Sequence, residues 1–499
     1  MIMRDQPMSI TNLPLNCVAF DCGSSSLRTV VGSFDGTRVI TNVVSQVPNS
    51  AVNVNGFYYW DLLNIFESLK SGLREACSQY KKIDSIGICT WGVDFGLLDS
   101  QGFLLSNPLS YRNAIGEGEL STLSESERRW MFEKTGIQNN KINTLYQLAG
   151  IKRQMPEIFG IAKSMLMLPD LLQYLFTGEM VTEASIASTT QMLDARSKKF
   201  VPEVLEKFGI PQNLVKPLRQ HGEIIGTLRQ SIADELGIAA CPVVCVPSHD
   251  TACAVTAVPT QEKDFIFISS GTWSLIGTEM VEPVINKSVY DRDFANEGGV
   301  FNTITMLKNS TGMHILQCIK KELEFNGDVF TWNDIVKMAA EYQGDVPVFD
   351  PNSSRIFNPV SMIGEIKNLI GVNEVNPAQI IASAYDSLAF SYRYAIEQIQ
   401  EITGITYQSI YIVGGGSQNR YLNQVTADFT GKTVVSGPKE ATSLGNIGVQ
   451  LSAHWMDFNI NRIRTMVRNS EKIEEFTPNA ARDQNEIEQR YKEYKNCLP

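Results

Sequence analysis

From residue 16 the chain alternates apolar runs with short polar turns. The segment NCVAFDCGSSSLRTVVGSFDGTRVITNVV reads as an apolar run, a Gly/Ser turn, a second run, a turn at Asp35-Gly36 and a third run. That is the pattern of a three-stranded antiparallel meander. Beyond Trp60, the residues Leu62, Phe66, Leu69, Leu73, Ala76 and Tyr80 recur at steps of three and four, which predicts an amphipathic helix. The run IDSIGICT, Ile83 to Thr90, has the length of a buried strand, and FGLLDSQGFLL after Trp91-Gly92 predicts a hairpin about Asp99 to Gly102.

The pattern returns half a chain later. Asp264 opens DFIFISSGTWSLIGTEM, again two apolar runs about a Ser/Gly turn, so the turns starting at Asp21 and Ser269 mirror one another. A helical pattern from Ile380 to Ile402 closes at Gly404 and is followed by the strand SIYIV, the turn GGGSQN and a helix from Tyr421. A strand at Thr433 to Ser436 and the helical stretch LGNIGVQLSAHWM complete the series. Alternating strands and long helices predict α/β domains. Three strands, a helix and a further strand are the opening of an actin-like, ribonuclease-H-like half. The expected division is a polar leader 1–16, an N-terminal domain 17–256, a C-terminal domain 257–460 and a helical tail 461–499, with the boundary in the turn-like VTAVPTQEK about Ala254 to Glu262.

Composition narrows the classes of function. The chain has 499 residues, 43% hydrophobic and 19% charged, which is a soluble globular composition and excludes a small disulfide-stapled scaffold. With 54 acidic against 43 basic residues the net charge is −11. Such a chain repels nucleic-acid backbones and anionic membranes at long range, and no local basic patch offsets this. The first sixteen residues lack a signal-length apolar stretch, and no run of eighteen apolar residues exists to span a bilayer, so the expected location is the cytoplasm. Nine cysteines form no CxxC pair. They read as reduced, buried small hydrophobes. Cys241 and Cys245 fit one face of a strand, but the four histidines are scattered and two more zinc ligands are wanting.

The turns are where chemistry concentrates. Polyphosphate is held by backbone N–H groups in Gly-rich turns, by short hydroxyls and by helix N-termini. Asp21-Cys22-Gly23-Ser24-Ser25-Ser26, Ser269-Ser270-Gly271-Thr272-Trp273-Ser274 and Gly414-Gly415-Gly416 all have that composition. Each is singly an ordinary connection between elements; their order and mirrored placement carry the joint reading. A Walker A motif is missing, because the Gly-Lys-Thr at Gly431 to Thr433 has Thr426 where the first glycine belongs. Ser248-His249-Asp250-Thr251 stands between an apolar run and a helical stretch. There Asp250 is either a helix N-cap or a general base receiving the proton of an attacking hydroxyl. Asp21 is similarly either the acceptor of its own turn or a ligand of Mg²⁺ carried by a nucleotide. Trp91 in Trp91-Gly92-Val93-Asp94 reads as core or as a sugar platform, and Gly92 would let backbone approach a hydroxyl.

The segments CVAFDCGSSSLR, IDSIGICTWGVDFGLLDSQG, YRN, NTLYQL, LPDLLQYLFTG, SHDT, ISSGTWSLIG, NEGG, LKN and IVGGGSQN with LGNIG resemble, in order, the motifs of the FGGY carbohydrate kinases. The resemblance runs from Cys17 to about Gly448 and implies two actin-like ATPase domains with a catalytic cleft between them. It implies Asp250 as the base that deprotonates a ketose 1-hydroxyl, with Gly92, His249, Thr251 and Asn309 as sugar contacts. Ser24, Ser25, Ser26, Leu27 and Arg28 would form the first phosphate loop. Thr272, Gln317 and Gly415 would contact ATP, and Mg²⁺ would come with it.

Within the family the similarity is greatest to the members that phosphorylate L-rhamnulose. Trp91 and Asn309 favour that sugar over L-fuculose. Two departures stand out: Cys89 replaces the aspartate usual before the sugar loop, and Leu27 replaces a glycine of the first phosphate loop. The expected partners are a small-molecule sugar and ATP, with no nucleic acid or membrane, and the expected state is a monomer or homodimer. An actin-like ATPase or sugar-responsive regulator without kinase activity is the alternative of a different class.

Overall fold

The computed structural model describes residues 13–499 except positions 375 and 456, so most of the sixteen-residue leader lies outside the described residues. The chain divides into two compact units. Unit 1 gathers Met1–Gln261, Glu279–Met306 and Ala441–Glu471, and unit 2 gathers Glu262–Thr278, Leu307–Glu440 and Lys472–Pro499. Among the described residues no helix is long and apolar enough to cross a membrane.

Unit 1 is built on six strands: β1 (Leu15–Cys22), β2 (Ser26–Phe34), β3 (Val39–Pro48), β4 (Ser85–Thr90), β5 (Ile224–Thr227) and β6 (Pro242–Val244), in the order β5-β6-β4-β1-β2-β3. β1, β2 and β3 form the antiparallel meander, while β4 pairs parallel with both β1 and β6. The expected helix is α1 (Leu62–Gln79), opened by Asp61, whose side chain accepts the Asn64 N–H. Its buried face is Leu62, Ile65, Leu69, Leu73 and Ala76. It lies so close on β2 that a Cβ at Gly72 would stand 2.0 Å from Thr29 Oγ1. Two further helices matter for the site, α2 (Ala184–Ser188) and α3 (Asp250–Thr256). The predicted turn at Asp99 forms, but the strand before it, Phe95–Leu98, takes Ser164–Met167 as its main antiparallel partner and meets Leu104 in a single bridge.

Unit 2 repeats this plan. Its strands β7 (Ile266–Ser270), β8 (Trp273–Met280), β9 (Ile304–Thr311), β10 (Ser409–Val413), β11 (Thr433–Ser436) and β12 (Glu474–Phe476) run in the order β9-β8-β7-β10-β11-β12, and a seventh strand, Ala295–Gly298, lies beside β9 at the edge. β7 and β8 form the hairpin about the Ser/Gly turn, β7 is parallel to β10 and β10 to β11, and β12 closes the edge antiparallel. α4 (His314–Leu323), α5 (Pro377–Thr403) and α6 (Arg420–Thr430) belong to this unit. α5 starts with Pro377 at its first turn and stops at Gly404, whose φ of +69° is the left-handed helix stop. In the stretch read as a helical tail, the helices Ile460–Ser470 and Gln484–Asn496 flank β12.

The helix α7 (Ala441–His454) belongs to unit 1, where it covers β1 and β4. It meets α3 at Gly445, where a Cβ would lie 1.9 Å from the Cys253 carbonyl oxygen. Its sheet-facing side is polar. Ser85 Oγ donates to Gln450 Oε1 at 2.7 Å, and Gln450 Nε2 donates to the Val18 carbonyl at 3.0 Å and to Asn446 Oδ1 at 2.7 Å. Every one of these buried groups therefore has a partner, as burial requires.

Candidate active site

In unit 1 the C-terminal ends of three parallel neighbours carry the residues singled out from the sequence. Cys22 at the end of β1 is level with Thr90 at the end of β4, and Thr90 bridges to His249. Asp250 and the turn after β1 therefore stand at one end of one sheet, two strand spacings or roughly 10 Å apart. Crevices outside the carboxyl ends of parallel strands are where α/β proteins bind ligands.

Asp250 is the first residue of α3, and the cap position is His249. Its Oδ1 accepts the Thr251 N–H at 2.7 Å and the Thr251 hydroxyl at 3.3 Å, so it serves the first turn of the helix while its side chain remains 36% exposed. Burial pushes the carboxyl up, and the neighbouring His249 and the Thr251 N–H oppose that rise. His249 is buried, with Nε2 3.4 Å from Asp250 Oδ1 and Nδ1 3.3 Å from Glu297 Oε2, the latter off the line of a hydrogen bond. Burial alone would lower the imidazole; Glu297, Asp250 and Glu183 outweigh it and push His249 up to about 9. The ring is a cation at neutral pH. A Cβ at Gly92 would meet Thr189 at 3.1 Å and His249 Nε2 at 3.4 Å. Gly92, His249, Asp250, Thr251 and Glu297 thus form one cluster.

Trp91 belongs to the core. Its indole is buried against Trp60, with ring centroids 4.3 Å apart. Both indole N–H groups donate to Asp94 Oδ2, at 2.6 Å from Trp60 and 2.8 Å from Trp91. Cys89 is also buried, its thiol 3.5 Å from the Phe20 carbonyl and from Asn446 Nδ2, under α7.

The first Ser-rich turn joins β1 to β2. Gly23 N–H donates to the Ser26 carbonyl at 2.8 Å, Ser25 is exposed and Ser24 and Ser26 are half-buried. Leu27 turns its side chain into the core, so only its backbone faces this turn. Arg28 pairs across the strands with Asp21, forming an ion pair with Oδ2, and Ser443 Oγ donates to the same oxygen at 3.5 Å. Among the described residues no group of three or more histidine, cysteine, aspartate or glutamate side chains is arranged to hold a metal ion.

In unit 2 Thr272 follows β7, Gly415 follows β10 and Gln317 lies on α4, whose start is bonded to the turn after β7. The turn after β7 is closed by Gly271 N–H donating to the Trp273 carbonyl at 2.8 Å. It also receives the start of α4, with Met313 N–H bound to the Gly271 carbonyl at 3.0 Å and His314 N–H to that of Thr272 at 3.1 Å. Gln317 is exposed on the first turn of α4. A Cβ at Gly416 would stand 2.0 Å from Ser270 Oγ, whereas one at Gly415 would meet nothing within 4 Å. Backbone at Gly415 is open to a ligand. Trp273 is exposed beside these groups, its ring stacked on His314 at 6.2 Å. Asn309 is exposed on β9. Two carboxylates were not legible as site residues, Glu297 and Glu183. NEGG, one of the resembling segments, is the sequence signal for the first; nothing in Thr182-Glu183-Ala184-Ser185 signals the second.

Comparison with known proteins places this geometry. Residues 16–257 match the N-terminal domain, and residues 266–454 the C-terminal domain, of the FGGY family of carbohydrate kinases. The chain is 36% identical over 460 residues to a rhamnulokinase of Oceanobacillus iheyensis, covering 91% of this chain and 96% of that one. It is 34% identical over 491 residues to a rhamnulokinase of Bacteroides thetaiotaomicron, covering 97% and 99%. The fold is shared with a xylulose kinase of Lactobacillus acidophilus (TM-score 0.82, 15% identity, 97% and 96% covered). It is shared also with the Plasmodium falciparum glycerol kinase with ADP (TM-score 0.79, 15% identity, 98% of each covered). The duplicated sheets, the turns at their ends and both family matches agree: the chain belongs to the FGGY family of carbohydrate kinases and is a phosphotransferase acting on a sugar.

Proposed function

We propose that this kinase transfers the terminal phosphoryl group of ATP to the 1-hydroxyl of L-rhamnulose, giving L-rhamnulose 1-phosphate and ADP, with Asp250 as general base. The observation that carries the choice of sugar is that the curated relatives at 33–36% identity, covering 91–97% of this chain, are rhamnulokinases. What supports the choice of base is position. Asp250 is a half-buried carboxylate at the start of α3, beside the cationic His249, whose Nε2 also faces Gly92.

As the sugar oxygen attacks phosphorus its proton passes to Asp250. His249, held as a cation by Glu297 and Asp250, opposes the rise that burial imposes on the Asp250 carboxyl and donates to a sugar oxygen. Thr251 and Asn309 complete the sugar contacts. Ser24, Ser25, Ser26 and Arg28 with the backbone of Leu27 hold phosphate oxygens, and Thr272, Gln317 and Gly415 hold the nucleotide. Mg²⁺ bound with ATP would supply charge neutralisation at the phosphates, and Asp21, whose Oδ2 is paired with Arg28, is the carboxylate that would hold it. Such an ion takes one or two carboxylates and otherwise water and phosphate oxygens, so a single carboxylate beside the turn fits.

Asp250→Asn tests the base. The variant is expected to bind ATP as the wild type does and to lose turnover by roughly 10²–10⁴-fold, the contribution of a positioned base. Near-normal turnover would reduce Asp250 to a helix-start residue.

A further inference from the structure

One short segment of unit 1 reaches every loop that carries a residue of the sugar cluster. It runs from Glu183 through α2 to Thr189. Glu183 accepts the Ser248 N–H at 2.9 Å. Ser185 Oγ accepts the His249 N–H at 3.2 Å. Ser188 Oγ accepts the Gly298 N–H at 2.8 Å, one residue after Glu297, and Thr189 Oγ1 accepts the Val93 N–H at 3.1 Å, one residue after Gly92. Three loops distant in sequence are thus registered by side-chain oxygens of seven consecutive residues.

Glu183 is the centre of this arrangement. An N-cap needs one or two backbone donors, which here are Ser185 N–H at 2.6 Å and Ile186 N–H at 2.9 Å. This carboxylate, fully buried, takes three more: the Ser185 hydroxyl at 2.6 Å, Ser248 N–H and His221 Nε2. The proton between His221 and Glu183 is placed by a third group. Phe301 N–H donates to His221 Nδ1 at 2.9 Å, so the ring's hydrogen is on Nε2, facing the carboxylate. Phe301 and Asn302 hold left-handed backbone, φ +47° and +69°, in the turn that follows Glu297. Such strain persists only where the surroundings enforce it.

We propose that Glu183 is a positioning residue for phosphoryl transfer: from its bond with His221 it fixes the backbone of Ser248 and, through Ser185, of His249, and so sets the aim of Asp250. This rests on the reading of Asp250 as the base. A base displaced by about 1 Å loses roughly a hundredfold in rate, which is the scale expected when this anchor is removed. The anchor is also electrostatic. Burial would raise the Glu183 carboxyl, yet His221 and the Ser185 donors hold it below its usual range. Its neighbours Asp170 and Cys245 are pushed well up by burial. Glu183 is therefore a buried negative charge, one of the three carboxylates, with Glu297 and Asp250, that raise His249.

The test compares Glu183→Gln, Thr189→Val and Asp250→Asn with the wild-type enzyme, measuring kcat, both KM values and the ring titration of the four histidines by NMR. Glu183→Gln is expected to lower kcat about a hundredfold with the KM for ATP little changed, and to move the His249 titration below its wild-type midpoint, which a merely structural role would not do. Thr189→Val, which loses the acceptor of the Val93 N–H and the donor to the Ile186 carbonyl, is expected to raise the sugar KM by roughly two- to tenfold, the scale of a neutral hydrogen bond. Wild-type kcat and an unmoved His249 titration in Glu183→Gln overturn the proposal. Should that variant not fold, Ser185→Ala with wild-type kcat together with Thr189→Val with wild-type sugar KM overturns it equally. An inactive Asp250→Asn beside a normal Glu183→Gln overturns the positioning role alone; an active Asp250→Asn overturns the reading of the base and this role with it.

Discussion

Asp94 shows how a single buried group supports the site from behind. Its one oxygen Oδ2 takes both indole N–H groups, and Thr144 and Gln147 bind the Val93 carbonyl beside it, so the loop bearing Gly92 is pinned from its core side. Burial pushes the Asp94 carboxyl up to about 6 despite those hydrogen bonds. In the unfolded chain it ionises near pH 4, so its contribution to stability is full below that pH and is lost as pH rises through about 6, a change of roughly 3 kcal/mol. Asparagine can accept both indoles without carrying charge. Urea unfolding from pH 4 to 8 should find Asp94→Asn gaining on the wild type up to about pH 7 and level above it; a difference independent of pH would contradict a buried ionisation. At this scale the sequence was partly legible. His249 and Asp250 announce themselves by chemistry, but whether Trp91 is core or platform, and which way Leu27 and Cys89 point, depends on partners tens to hundreds of residues away.

At the scale of elements, periodicity sufficed where the local pattern is strong. The helix read from Ile380 to Ile402 is α5, stopped by Gly404, and the strands SIYIV and Thr433 to Ser436 are β10 and β11. It failed for short pieces. β5 and β6, of four and three residues, lack the length to show alternation, and α2, of five residues, lacks a helical repeat. Nor does periodicity reveal that α7, near the end of the chain, covers β1 near its beginning. The glycine turn before α6 offers a test of what backbone openness is for. Gly416→Ala drives a Cβ into Ser270 and is expected to lower the melting temperature by several degrees, about 1–3 kcal/mol of overpacking. Gly415→Ala meets nothing and should leave melting unchanged while raising the KM for ATP. Unchanged melting in Gly416→Ala would contradict the packing, and an unchanged KM in Gly415→Ala would remove that backbone from the nucleotide site.

At the scale of the molecule the repeat is the main lesson. Two sheets that share the order of six strands, each with a Ser/Gly turn between its first two, account for the mirrored turns at Asp21 and Ser269. A net charge of −11 opposes the approach of ATP, so affinity must come from local donors rather than from the overall field. Ligand that binds only the folded chain stabilises it by about 2.7 kcal/mol at a hundred times its Kd; ATP with Mg²⁺ is therefore expected to raise the melting temperature, and an unchanged value at saturating nucleotide would contradict a preformed nucleotide site. The most direct measurement is ADP release by the wild-type enzyme across L-rhamnulose, L-fuculose, L-xylulose, D-xylulose and glycerol. The account predicts sugar-dependent release with the highest kcat/KM on L-rhamnulose; a higher kcat/KM on another of these acceptors would contradict it.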